Sequence, residues 1–243
     1  MSATRIRPLI GGAILVVAGF VLALLAPLAS GDQTAPLYAK MEQRFTESKP
    51  GKATGWRFDG ALKPTPEGQQ VPPQRGVEFV FPARTRTRPG AVPSCIASDE
   101  QIASEGLAAC PADSRVGSGE ADLFFGTAGT FTAEVHLFAA GPELLTIFTA
   151  ESGGVLRVLR AMGTRRRITA TLPPVAAPGG YELAVTRFKL KVHRAGTLKR
   201  PFLQTPETCP KKKRRWKFTY LPRYDEPYGV QRSTSTMRCK RKP

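Results

Sequence analysis

Hydrophobic and polar residues alternate along most of the chain after residue 55. Trp56 and Phe58 alternate with Arg57 and Asp59, and Val77, Phe79 and Phe81 with Glu78 and Val80. Phe131, Ala133, Val135 and Leu137 alternate with Thr132, Glu134 and His136. The same pattern runs through Arg167–Leu172, Arg187–His193 and Trp216–Tyr220. A period of two places every second side chain on one face, so each segment predicts a half-buried strand with one apolar and one charged side. Leu144–Ala150 is a continuous apolar run and reads as a central strand. Val155–Met162 fits two periods, because Arg157 and Arg160 with Leu156 and Leu159 also match a helical turn. Tyr228–Met237 is expected to return antiparallel to the strand around Trp216.

Glycine and proline punctuate these segments. Pro64, Pro66, Pro72 and Pro73 predict an irregular loop, and Gly153-Gly154, Gly163 and Gly179-Gly180 separate the later runs. Roughly ten strands at this spacing predict an all-β domain over residues 55–243, an antiparallel β-sandwich of immunoglobulin-like or jelly-roll-like kind. The 22 prolines and 23 glycines fit many short strands joined by turns. No repeat of fixed period is apparent. Residues 32–54 are mixed and polar and read as a linker, compatible with a short helix around Leu37–Phe45.

Before the linker, Arg5 and Arg7 precede an apolar run from Pro8 to Ala29, and Ala29-Ser30-Gly31 offers small residues for cleavage. A basic flank, an apolar stretch and small residues after it make an export signal, so residues 1–31 are a signal peptide or signal anchor. The apolar stretch, about 20 residues, is long enough to span a bilayer as an N-terminal hydrophobic helix. Two outcomes follow: an extracytoplasmic domain anchored by residues 8–29 with a cytoplasmic N-terminus, or one secreted after cleavage near Ser30-Gly31. No cysteine ends the run, so lipid attachment is not indicated there.

Cys95 and Cys110 enclose fourteen residues. Between them Ser98 and Gln101 have capping-box spacing, and Gly106 is a natural stop, which predicts one short helix at about Ser98–Glu105. So short a helix is unstable alone. A disulfide closing this loop would hold it, with about 3 kcal/mol from chain entropy. No histidine or further cysteine lies at ligand spacing, so zinc is poorly supported, and no metal or cofactor is expected.

The run Ala109-Cys110-Pro111-Ala112-Asp113-Ser114-Arg115-Val116-Gly117-Ser118-Gly119 resembles an uncharacterised group of exported, β-rich proteins from high-GC bacteria. A second match is Thr205-Pro206-Glu207-Thr208-Cys209-Pro210, followed by Trp216, Phe218 and a last cysteine, Cys239. The resemblance spans residues 55–240 and implies a β-rich fold with disulfides, but no activity. Of three possible connectivities, local pairing and the resemblance both favour Cys95–Cys110 with Cys209–Cys239. The chain departs from the group's pattern at Lys211–Arg215, where the resemblance leads one to expect a short neutral turn.

Four cysteines, an even number, fit two disulfides in an oxidising compartment. The net charge of +17 implies attraction to polyanions. Residues 211–243 hold twelve Lys/Arg against two acids, over half of that excess. Lys211, Lys212, Lys213, Arg214 and Arg215, beside Trp216, form a candidate anion-binding patch. Export makes nucleic acid an improbable cellular partner and leaves an anionic membrane surface or wall polymer; a solvated hairpin tip is the plainer reading. Protein partners are not indicated.

Catalysis is weakly supported. His136 and His193 fall on the polar phase of their strands, which reads as solvated surface. No G-x-S-x-G elbow, H-E-x-x-H helix, P-loop or dinucleotide fingerprint occurs, and Gly117-Ser118-Gly119 reads as a turn. Glu134, Glu143 and Glu151 are the nearest candidates for a glycosidase pair. The expectation is a non-catalytic envelope or binding module; the rival is a hydrolase of envelope polysaccharide.

Overall fold

The computed structural model describes residues 38–62, 71–211 and 214–240. The apolar run, its arginine flank and the cleavage residues lie outside them, as do Lys212 and Lys213. Among the described residues no helix is long and apolar enough to cross a membrane.

Eleven strands form the main sheet: β1 Tyr38–Phe45, β2 Trp56–Leu62, β3 Gln74–Val80, β4 Arg115–Phe124, β5 Thr130–Ala140 and β6 Glu143–Thr149. The rest are β7 Val155–Thr164, β8 Arg167–Thr171, β9 Ala184–Val192, β10 Arg215–Tyr224 and β11 Ser233–Arg238. Their order is β1-β2-β9-β4-β5-β6-β7-β8-β3-β10-β11, every neighbouring pair antiparallel. The alternating segments are therefore strands, and Val155–Met162 belongs to one of them. β1 occupies part of the stretch read as a linker and takes the place of the short helix: Gln43 and Phe45 are buried while Glu42 and Arg44 are exposed, a period of two. Gly117-Ser118-Gly119 is strand, not turn.

The strands do not stack as the two sheets of a sandwich. They make one sheet whose edges meet. The Ser235 hydroxyl on β11 accepts from the Gln43 N–H at 3.0 Å and donates to the Gln43 carbonyl at 3.1 Å. Beyond β11, the Lys240 N–H donates to the Ser48 carbonyl at 2.9 Å. Accumulated strand twist curls a sheet of this size, and closure hides its edges. Alternation is the same in a sandwich and in a rolled sheet, because both need one apolar face per strand.

Rolling requires strands to bend, and β4 shows how. A Cβ on Gly119 would run into the carbonyl oxygen of Lys189 on β9, and one on Gly117 would lie 2.6 Å from that of Lys191. Only glycine permits this approach. Gly119→Ala should lower stability by about 1–3 kcal/mol, since backbone rather than a side chain must yield. A denaturant midpoint equal to that of the parent would show that β4 and β9 can separate at no cost.

The outer face of β5–β7 is buried too. α1, Asp99–Glu105, lies over it, with Ser98 accepting from the Gln101 N–H and the Gln101 side chain accepting from the Ser98 N–H. Cys95 and Cys110 are disulfide-bonded, and with Ile102 they pack on Phe138, Leu145 and Ile147. Arg160 of β7 reaches over to Asp99 at 2.8 Å and to the Ala97 carbonyl. β6 is thus apolar on both faces, which is why Leu144–Ala150 carries no alternation. Cys209–Cys239 closes the open end of the β10–β11 hairpin. Two disulfides fit folding in an oxidising, extracytoplasmic compartment.

Candidate ligand-binding cavity

The inward residues divide the barrel in two. Between β1, β2, β3 and β10 the interior is filled with rings. Trp56 and Phe58 each meet Phe79 edge-on at 5.0 Å, and Phe45 meets Phe218 at 4.9 Å. Edge-on aromatic packing of this kind is dense and specific. Toward β6, β7 and β8 the inward positions are smaller. Ala161 of β7 and Ala170 of β8 are direct partners in the ladder, and Thr146 of β6 also faces in. There the interior is not filled.

The space left is a cavity of about 350 Å³. Its walls include Leu137, Leu144, Phe148, Leu159, Phe188 and Leu190, with Trp56 and Phe79 on the side of the rings. Trp56 is buried, and among the described residues its indole N–H has no hydrogen-bond partner. Size and lining match those of small-molecule sites, which are mostly apolar with a few polar groups.

The cavity reaches the surface at one end of the barrel. Strand registers bring the β4–β5 turn, the start of β7, the end of β8 and the start of β9 to this end. Phe131 and Leu156, which line the cavity, are 37% and 46% exposed here. Leu156 sits in a bulge, where the β6–β7 register shifts between Phe148 and Thr149. Bulges re-aim side chains beside binding sites. Arg157 follows it, on the inward phase with Leu159 and Ala161, and its Nη2 donates to the Pro173 carbonyl at 2.9 Å. Burial holds the Arg157 guanidinium below its ordinary pKa.

His193 is exposed, as the alternation implied, but His136 is not. His136 is 6% exposed, on the outer face of β5. Arg115 Nη2 lies 2.8 Å from its Nδ1; arginine only donates, so Nδ1 accepts and Nε2 carries the hydrogen. Nε2 faces the Thr149 hydroxyl at 3.0 Å and Glu134 at 3.4 Å. The polar phase of β5 is covered because Arg115 and Thr149 from both neighbouring strands close over the ring. Burial first, then Arg115, lower the His136 pKa, with Glu134 opposing; burial, Lys191 and Arg115 lower that of His193. The unfolded chain therefore takes up protons near pH 6.5 that the folded domain resists. Stability should be complete above about pH 6.5 and fall as pH drops below it. Melting curves from pH 8 to pH 5 should show this slope, flattened in His136→Gln; an unaltered slope in the variant would count against it.

The basic run divides between solvent and core. Lys211, Arg214 and Arg215 are exposed beside the Cys209–Cys239 bridge, at the open end of the hairpin and not at its tip. Arg214 has φ 45°, held by its N–H donating to Pro210 and its carbonyl accepting from Cys239. Trp216 is 1% exposed and packs against Phe45, so it cannot stack on a ligand with those cations. Trp216 follows the inward phase of β10 with Phe218 and Tyr220. Elsewhere on the surface, a polar groove across β1, β2, β9 and β4 holds Glu42, Asp59 and Glu120. Each has a cation nearby: Arg44 at 3.3 Å, Arg187 at 3.9 Å and Lys189 at 3.2 Å. Glu143 is paired with Arg160, at 3.4 Å.

The cavity was the feature least visible beforehand, since its walls look like ordinary core positions. Two signals were present: alanine at facing inward positions, and Arg157 on the apolar phase Val155, Leu159, Ala161. No known family model, no curated protein and no solved structure matches this chain.

Proposed function

We propose that this is an exported, non-catalytic binding module of the cell envelope that takes an apolar ligand into its barrel. The observation that supports it is the apolar cavity opening at one end between Phe131 and Leu156. Export is supported by the N-terminal run, the two disulfides and the resemblance to exported proteins of high-GC bacteria. Anchoring by residues 8–29 or release near Ser30-Gly31 is decided by the mass of the mature protein. The rival, a hydrolase of envelope polysaccharide, needs two carboxylates or a carboxylate and a histidine facing one cleft. The cavity lining holds neither among the described residues. Glu134 and His136 lie together on the outer face, and the ring nitrogen toward Thr149 already carries its hydrogen, so it does not activate that hydroxyl.

The test is saturable binding of a neutral apolar dye, N-phenyl-1-naphthylamine, to the purified protein. The expected result is one site per chain, competed by straight-chain alcohols. Absence of saturable binding by protein whose four cysteines are oxidised would overturn the reading.

The exposed cations support a second contact, with anionic membrane or wall polymer. Each is worth about 1 kcal/mol near an anionic surface, and binding should weaken steeply with salt. Replacing Lys211, Lys212, Lys213, Arg214 and Arg215 with serine should leave the melting temperature almost unchanged. Retention on anionic liposomes or wall material at low salt should drop sharply. Equal retention would reduce the run to a solvated turn.

A further inference from the structure

Among the described residues Arg157 is the one charged residue lining the cavity. It stands on the inward phase of β7, directly opposite Phe148 in the ladder. Several arginines elsewhere on the sheet have carboxylates: Arg75 pairs with Glu182 and Asp225, Arg160 with Asp99 and Glu143, and Arg167 with Glu78. Among the described residues no carboxylate pairs with Arg157, and its guanidinium donates instead to a neutral carbonyl, that of Pro173. A guanidinium has five N–H donors in a planar fork, suited to an oxyanion, and it stays charged when partly buried. A charge withdrawn from water without a counterion is unfavourable, and a bound anion removes that penalty.

We infer that the ligand is an anionic amphiphile, its acidic head group on Arg157 at the mouth and its apolar body in the barrel. This rests on the cavity being the ligand site. The dimensions agree. At the ~30 Å³ that a water-sized group occupies in a liquid, 350 Å³ holds roughly a dozen methylene-sized groups. Arg157 adjoins the exposed Leu156, so a head group on the guanidinium keeps a path to water while the tail lies against Leu159, Ala161 and Phe188. A single charged group at the rim also orients the ligand, tail inward. An amphiphile with a cationic head is repelled, and a neutral one gains only the apolar contact.

The experiment is competition of N-phenyl-1-naphthylamine from the full chain by four ligands of equal chain length, each below its micelle concentration. These are dodecanoate, dodecyl phosphate, dodecanol and dodecyltrimethylammonium. The expected result is at least tenfold tighter binding of one or both acids than of dodecanol, with the ammonium weakest. The two acids distinguish a carboxylate head from a phosphate head. Arg157→Gln should lose the preference for the acids over dodecanol, and Arg157→Lys should retain part of it. A cooperative melting transition reports that each variant is folded. Equal binding of acid and alcohol by the parent, or an acid preference that survives in Arg157→Gln, overturns the head-group assignment while the cavity remains a ligand site. Failure of every ligand, and of the dye, overturns the cavity reading itself.

Discussion

Cys209→Ala with Cys239→Ala should lower the melting temperature by roughly 7–14 °C. The bridge closes a loop with a sequence separation of 30. Chain entropy for a loop of that size is about 3.6 kcal/mol, and each kcal/mol shifts the transition by roughly 2–4 °C in a domain of this length. The effect is large against a total stability of about 5–15 kcal/mol. The location adds to it, because Cys239 is buried in the main core and the bridge pins the end of β11 to the start of β10. Removing Cys95 and Cys110 should have an effect of about 3 kcal/mol from the shorter loop. That variant also loosens the cover over Leu145 and Ile147, so it should bind dyes on its outer face. A Cys209/Cys239 double variant melting within about 2 °C of the parent would mean that the seam is held without the bridge.

The second large effect is on binding. Ala161→Phe together with Ala170→Phe should weaken N-phenyl-1-naphthylamine at least thirtyfold, about 2 kcal/mol. The two alanines face each other across neighbouring strands and both line the cavity, so two rings there occupy the space a ligand would take. Filling a cavity does not incur the penalty of crowding a full core, so the variant should melt at or above the parent's temperature. Strong binding by a folded double variant would place the site elsewhere on the protein.

Much of the fold was legible in the sequence, for a physical reason. Strand burial acts locally, so alternation around Phe79, Val135 or Leu190 reports it residue by residue. The capping box at Ser98 and Gln101 is equally local, and both disulfides joined cysteines of neighbouring segments. What was not legible depends on residues far apart. β1 lies next to β11 because Gln43 meets Ser235, and neither residue signals the other. Without that pairing, a rolled sheet and a sandwich predict the same pattern. His136 occupies a polar position in its strand, and only Arg115 and Thr149 of the flanking strands bury it. The cavity is a deficit of volume summed over many strands, and no single residue encodes it. Arg157 came closest, but its spacing from Arg160 suggested a helix.

The seam between β1 and β11 also fixes an order of events in time. Its partners are 192 residues apart, so β1 must wait, with one edge uncovered, until β11 has been synthesised. Contacts of such separation form slowly, because a long loop must close before they contribute. The hairpin of β5 and β6, with the Cys95–Cys110 loop over it, is assembled from nearby residues and needs none of this. Amide exchange should follow the same sequence in reverse: slowest in β6, buried on both faces, and fastest along the Gln43–Ser235 join, where a hydroxyl substitutes for the ladder.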